Sequence, residues 1–123
     1  MKKIIYTKNA PEPVGPYSQA VSASNFLYCS GQIGIDPKTN ELKGDIKQQT
    51  LQVIKNIEAV LLEAGLDFSS VIKTNCFLSD ISNFSVFNEI YSQFFTSKPA
   101  RSCIEAKLPK NALVEVEVIA YKE

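Results

Sequence analysis

The stretch "LVEVEVIAY", residues 113–121, decides how this chain folds. Val114, Val116 and Val118 alternate with Leu113, Glu115, Glu117, Ile119 and Tyr121, the period of two that puts successive side chains on opposite faces of a β-strand. One face is small and apolar, as a core requires. The other interleaves two carboxylates with Leu, Ile and Tyr, a mixture that suits an interface better than a wetted surface.

Upstream, the spacing changes from two to helical. Asp45 is a good N-cap and Gln48 stands where a reciprocal cap reaches back. Ile46, Thr50, Val53, Ile54, Ile57, Leu61 and Ala64 then recur on one helical face, and Gly65 supplies a left-handed stop. A second helix begins near Ser82, carries Phe84, Phe87, Ile90, Tyr91 and Phe94 on one broad face, and ends before Pro99. Residues 25–35, "NFLYCSGQIGI", read as a strand bent at Gly31 and Gly34, and 36–42 as a turn. Residues 70–80 and the run after Pro99 are strand-like, "PKN" is a turn, and "KKIIYT" forms a further strand. Residues 9–18, with three prolines and a glycine, are loop.

The resulting order is β-β-α-β-α-β-β: a single α+β domain over residues 1–123, with a mixed sheet and two helices. Two amphipathic helices cover one face of such a sheet. Strand alternation gives the other face Phe26, Tyr28, Ser30 and Gln32, then Val71, Lys73, Asn75 and Phe77, with Leu113, Glu115, Glu117, Ile119 and Tyr121 from the last strand. An open antiparallel face would be polar. This one is not, so the expectation is a homo-oligomer that buries it.

The 13 basic and 13 acidic residues balance, which argues against nucleic acid or an anionic membrane surface as partner. No apolar run reaches membrane-spanning length and the first residues have no signal-peptide core, which points to the cytoplasm or an organelle lumen. Cys29, Cys76 and Cys103 are odd in number and far apart, so they form neither a disulfide framework nor a zinc site. Each reads first as a small buried hydrophobe. Histidine is absent, which removes the usual general base and the commonest metal ligand. Any chemistry therefore falls to carboxylate, hydroxyl, guanidinium or main chain, with no metal and no cofactor expected.

Arg101, at the mouth of the strand opened by Pro99, is either an incidental surface cation or a planar fork for a carboxylate. Glu115 and Glu117 share a face. Both are solvated, or one is buried beside a cation, where it would hold and polarise a water. Ser30 offers a hydroxyl beside the main chain at Gly31, and Tyr17 sits in the stiff turn "GPYSQA". Asn88 is mid-helix, an unfavourable position unless it is exposed or makes a specific hydrogen bond.

Five blocks in order, "GPYSQA" (15–20), "SGQI" (30–33), "FNEIY" (87–91), "PARSC" (99–103) and "LPKNALVEVEVIA" (108–120), together resemble the RidA/YjgF family of imine deaminases over nearly the whole chain. The resemblance implies a chorismate-mutase-like fold assembled as a homotrimer, with a central β-barrel, helices outside and clefts between subunits. It implies hydrolysis of 2-imino acids, such as 2-iminobutanoate and 2-iminopropanoate released by pyridoxal-phosphate enzymes, to 2-oxo acids and ammonia. Arg101 would grip the substrate carboxylate, Glu115 would orient the attacking water, and Tyr17, Ser30, Gly31, Asn88 and Cys103 would line the cleft. Two rival readings keep the fold: a carboxylate-binding regulator without turnover, and an RNA-cleaving inhibitor of translation, an activity attributed to some members of the family it resembles. The chain departs from the family in a shorter "FFTSK" segment and in "RSCIEAKLP", which lacks one residue usually present before Leu-Pro. A one-residue change inside a strand exchanges its faces unless a turn or bulge absorbs it.

Overall fold

A computed structural model describes all 123 residues. Strand β1 (Lys2–Ile5) pairs antiparallel with β2 (Ala20–Ala23), and β2 pairs with β3 (Phe26–Cys29). After a break at Ser30-Gly31 come β4 (Gln32–Ile33) and a small hairpin, β5 (Ile35–Asp36) with β6 (Glu41–Leu42). Helix α1 (Ile46–Glu63) leads to β7 (Val71–Leu78), then α2 (Phe84–Phe94), β8 (Ala100–Glu105) and β9 (Val114–Tyr121).

The sheet order is β1-β2-β3-β9-β7-β8, with β4 also on β9. Only the β7–β8 pair is parallel, as a helical crossover through α2 demands. The last strand is thus central, and its alternation organises the rest. Val114, Val116 and Val118 are buried against Val53, Ile57, Val60 and Leu61 of α1 and Phe87 of α2 in one core. Both helices lie on that face.

The ends of α1 follow from its sequence. Asp45 and Gln48 form the reciprocal cap, with Gln48 N–H donating to Asp45 at 2.9 Å and Asp45 N–H donating to Gln48 Oε1 at 3.1 Å. Such a cap contributes about 1 kcal/mol. Gly65 follows the helix at φ +76°, the left-handed conformation that favours glycine.

Three expectations require correction. Residues 36–42 belong to a hairpin, Asp36 pairing with Glu41 and Leu42 with Ile35, rather than a bare turn; residues 20–23, to which no element was assigned from sequence, form a strand. Gln32 lies on the helix side of the sheet, not the open one. Tyr28 pairs with Ile119 but Gln32 pairs with Val116, so the extra residue at Ser30-Gly31 is a bulge that exchanges faces. Val71 likewise packs inward opposite Ala120, because a second bulge between Val71 and Lys73 resets β7. Beyond the bulges the open face is as expected. Phe26, Tyr28, Lys73, Asn75, Phe77, Glu115, Glu117, Ile119 and Tyr121 point away from the helices, joined by Ile33 and Ile104. Ile4, Tyr28, Ile72 and Ile104 are substantially exposed.

Strand β8 keeps unbroken register with β7 from Ala100 to Glu105, and the chain leaves the sheet at Ala106. The missing residue before Leu-Pro therefore leaves the faces of β8 unchanged. The turn that follows is tight: Lys110 and Asn111 both adopt left-handed backbone, at φ +56° and +58°.

Candidate functional site

Arg101 pairs in register with Thr74, which is fully buried beneath α2, so its side chain rises on the helix side of the sheet. Three contacts hold it. Nη1 donates to Asn88 Oδ1 at 2.7 Å, and the guanidinium carbon lies 4.7 Å from the Tyr91 ring centroid and 5.5 Å from that of Phe84. Tyr91 is itself fixed, sharing a 2.8 Å hydrogen bond with Thr74 and stacking on Phe95 at 4.4 Å. An aromatic shelf of this kind attracts a cation through the ring quadrupole. Asn88 is thus the specific hydrogen-bond partner that its mid-helix position called for.

No carboxylate answers this charge. The one ion pair in the chain joins Lys43 to Asp36 at 3.2 Å, far along the sequence. Beside Arg101 opens a cavity of about 570 Å³ whose lining includes Asn88, Tyr91, Ser92, Thr96 and Lys98. Hence a half-buried fork, held on one edge by an amide and along its face by a ring, lines a cleft whose walls carry no acid. Cys103 lies two residues on, on the same face, registered against Cys76. Burial raises its thiol pKa while the neighbouring Arg101 opposes the rise. Burial pushes Cys29 and Cys76 up to about 12, as inert core thiols.

Glu115 occupies the other side of the sheet. It pairs with Phe77 and Ile33, between the inward-facing Val114 and Val116. Its carboxyl is half-buried, and its pKa is raised, first by that burial and then by the charge of Glu117. It lines a separate cavity of about 140 Å³ with Tyr17, Gly31, Ile33, Glu12 and Lys110. Gly31 leaves room for that carboxyl: a Cβ on it would stand 2.9 Å from the Glu115 carboxyl carbon and closer still to Oε2, so any larger residue displaces the Glu115 side chain from its present place. The glycine lets main chain meet a carboxylate without a side chain between them.

The loop bearing Tyr17 is clasped by Gln19, which is buried. Its Nε2 donates to the carbonyls of Thr7 and Pro11, both at 2.9 Å, and its Oε1 accepts from Thr7 N–H at 2.7 Å. Ser30 is committed to the same loop, its hydroxyl donating to Ser18 C=O at 2.6 Å and its N–H to Gln19 C=O at 2.9 Å. It is therefore a brace for Tyr17 rather than a free hydroxyl in the cavity. The opposite wall rests on α1. Asn56, fully buried, donates to the carbonyls of Ile33 and Ile35 at 3.2 and 2.9 Å and accepts from Gln52 at 3.0 Å. Gln49 donates to the carbonyls of Lys43 and Gly44 and accepts from Leu113 N–H at 2.8 Å, just before β9.

The sequence-derived candidates thus fall into two groups. Arg101, Asn88 and Cys103 meet on the helix side; Tyr17, Gly31 and Glu115, with Ser30 as support, meet on the open side. Within one chain the sheet separates them. Sequence reasoning missed the Tyr91–Phe84 shelf, which periodicity assigned to the core, and the buried Gln49, Gln52 and Asn56. That amide row was visible as polar residues spaced by three and four along the apolar face of α1. No three His, Cys, Asp or Glu side chains converge as a metal site, and no helix is long and apolar enough to cross a membrane.

Fold and site define a class: an α+β protein with a mixed sheet, two helices on one face, an unmatched guanidinium on the helix side and a half-buried carboxylate on the other. Residues 7–122 match the family described as Endoribonuclease L-PSP. A RutC family protein of Pyrococcus horikoshii is 55% identical, with 100% of each chain covered. The crystal structure of RidA from the Antarctic bacterium Psychrobacter is 43% identical at a TM-score of 0.94, covering 97% of this chain and 98% of that one. The crystal structure of E. coli TdcF with bound serine is 37% identical at a TM-score of 0.95, covering 98% and 99%. The chain belongs to the RidA/YjgF family.

Proposed function

We propose that the protein, acting as one domain over residues 1–123, hydrolyses 2-imino acids to 2-oxo acids and ammonia at clefts between the subunits of a homotrimer. The observation that carries this reading is the placement of Arg101: an oriented cation without a carboxylate of its own, open to a cavity, in a chain with no histidine. A planar fork of this kind takes a carboxylate in two parallel bonds. The solved relative with bound serine supports a small amino-acid-like ligand for this fold.

Arg101 and Glu115 lie on opposite sides of one sheet, so a site using both takes one from each of two copies. The exposed apolar residues of the open face are what a second copy would cover, and closing the sheets of three copies on one another gives a barrel with helices outside. In such a cleft Arg101 holds the substrate carboxylate, and Glu115 of the neighbour orients a water toward the imine carbon. The water oxygen bonds to that carbon as a proton passes to the carboxylate. The carbinolamine nitrogen takes that proton back and leaves as ammonia, while the hydroxyl passes its remaining proton to the carboxylate and its oxygen becomes that of the ketone. A protonated imine is already electrophilic, so orientation and a drier site suffice. No step calls on a metal or cofactor. Such imines arise in the cytoplasm, where pyridoxal-phosphate dehydratases release them.

The family description names an RNA-cleaving activity. Zero net charge and the lack of histidine count against that reading here. A carboxylate-binding regulator without turnover would use Arg101 and leave Glu115 idle. The deciding experiment couples an amino-acid dehydratase to this protein and traps surviving imine with semicarbazide. The wild type should shorten imine lifetime and Arg101→Ala should match the control without protein. A wild type that also matches that control would end the deaminase reading.

A further inference from the structure

The cavity beside Arg101 holds a second cation that the reaction above does not use. Lys98 lines it together with Ser92 and Thr96, and no carboxylate is among its lining residues. Lys98 makes no ion pair. Its backbone is left-handed, at φ +57°, in a tight turn closed by its N–H on Phe95 C=O at 3.2 Å and fixed by Pro99 after it. At such a position glycine or asparagine is favoured, and a lysine is strained. A residue kept against backbone preference beside a cleft points to its side chain as the reason.

We propose that Lys98, with the hydroxyl of Thr96, forms a subsite for a second acidic group, so that the cleft also takes 2-imino acids carrying a distal carboxylate. This rests on the reading of Arg101 as the clamp for the first carboxylate. The two cations then divide the labour by chemistry. Arg101, planar and held by Asn88, fixes the carboxylate next to the reacting carbon. Lys98, a point charge on a flexible stem, tolerates variation in where the distal acid falls. Imines of this class come from oxidation of acidic amino acids, or from elimination on those that carry a leaving group at the β-carbon.

The test uses two substrates and two ligands. 2-Iminosuccinate, generated in place from aspartate by an amino-acid oxidase, is compared with 2-iminopropanoate generated from alanine. Binding of 2-oxoglutarate and of 2-oxobutanoate is measured by calorimetry without turnover. Lys98→Asn keeps a residue suited to the left-handed turn and removes the charge; Lys98→Glu reverses it. The expected result is a loss of about fivefold in kcat/KM for the dicarboxylic imine, and in affinity for 2-oxoglutarate, in Lys98→Asn, the size of a partly exposed ion pair. Lys98→Glu loses more, and both variants leave the monocarboxylic pair unchanged. Equal losses on both classes, or no loss on either, overturn the subsite. Should the wild type hydrolyse neither imine, the deaminase reading fails while the paired affinities still decide the subsite.

Discussion

Mixing two inactive variants should restore activity, and by a calculable amount. Arg101→Ala removes the only guanidinium in the chain, the planar fork held by Asn88. Losing a charge-assisted carboxylate clamp costs about two to three orders of magnitude in kcat/KM. Glu115→Gln removes the half-buried carboxylate on the other side, for roughly a hundred- to ten-thousand-fold loss if it serves as general base. Each variant alone is therefore nearly dead. If a cleft takes its arginine from one chain and its glutamate from the next, a cleft is intact when an Arg101-bearing chain meets a Glu115-bearing neighbour in that order. Random assembly of an equimolar mixture makes about one quarter of the clefts whole. The variants, differently tagged, would be unfolded together, refolded, and assayed by semicarbazide trapping, with mixed assemblies isolated through both tags. Recovery of about a third of wild-type activity is expected for the isolated mixed trimers, each of which has one whole cleft in three, and about a quarter for the unfractionated mixture. Recovery no greater than the sum of the separately refolded parents refutes the composite cleft, because a site within one chain cannot be complemented.

Burial raises the Glu115 carboxyl above its ordinary value, so the acid limb of kcat/KM should lie above the usual glutamate range and disappear in Glu115→Gln. The same shift has a stability sign: the wild type loses stability as pH rises from the unfolded-state pKa through the raised folded one. Glu115→Gln should therefore gain on it toward neutral pH and not at low pH, as read by denaturation series. Gly31→Ala should displace the Glu115 carboxyl and lower kcat more than it raises KM, a pattern that unchanged kinetics would contradict. Asn56→Leu strands the Ile33 and Ile35 carbonyls in a fully buried site, for about 2–4 kcal/mol of stability by urea denaturation; a loss under about 1 kcal/mol would mean those carbonyls find other partners.

Where the fold was legible in sequence, a regular period carried it. The alternation through 113–121 placed Val114, Val116 and Val118 inward, and the helical spacing from Asp45 to Gly65 gave α1 with its cap and stop. What was not legible turned on single extra residues. Gln32 and Val71 were assigned to the open face because parity was carried through Ser30-Gly31 and past Ile72, and a bulge at each point exchanged the faces. A bulge has no strong local signature, since its evidence is a partner strand distant in sequence. Strand β2 escaped for a related reason: "AVSA" has no pattern strong enough to mark it, and β1 and β3 on either side make it a strand.

The same alternation that made the fold readable determines what one chain can do. Arg101 and Glu115 were singled out for compatible chemistry, but strand parity sends the first toward α2 and the second away from it. A single subunit therefore presents a cation lacking an anion and, across the sheet, a half-buried carboxylate with no cation within salt-bridge distance. Neither is costly enough to forbid folding, because Arg101 keeps Asn88, an aromatic shelf and access to solvent, while Glu115 is only half removed from water. In the proposed assembly each would meet a partner supplied by another copy. Bringing them together across a contact between copies would make catalysis a property of the assembly. The fixed charge of Arg101, unlike a histidine, would hold the substrate acid at any physiological pH, leaving the protonation of Glu115 as the protein ionisation the rate follows, beside that of the imine itself.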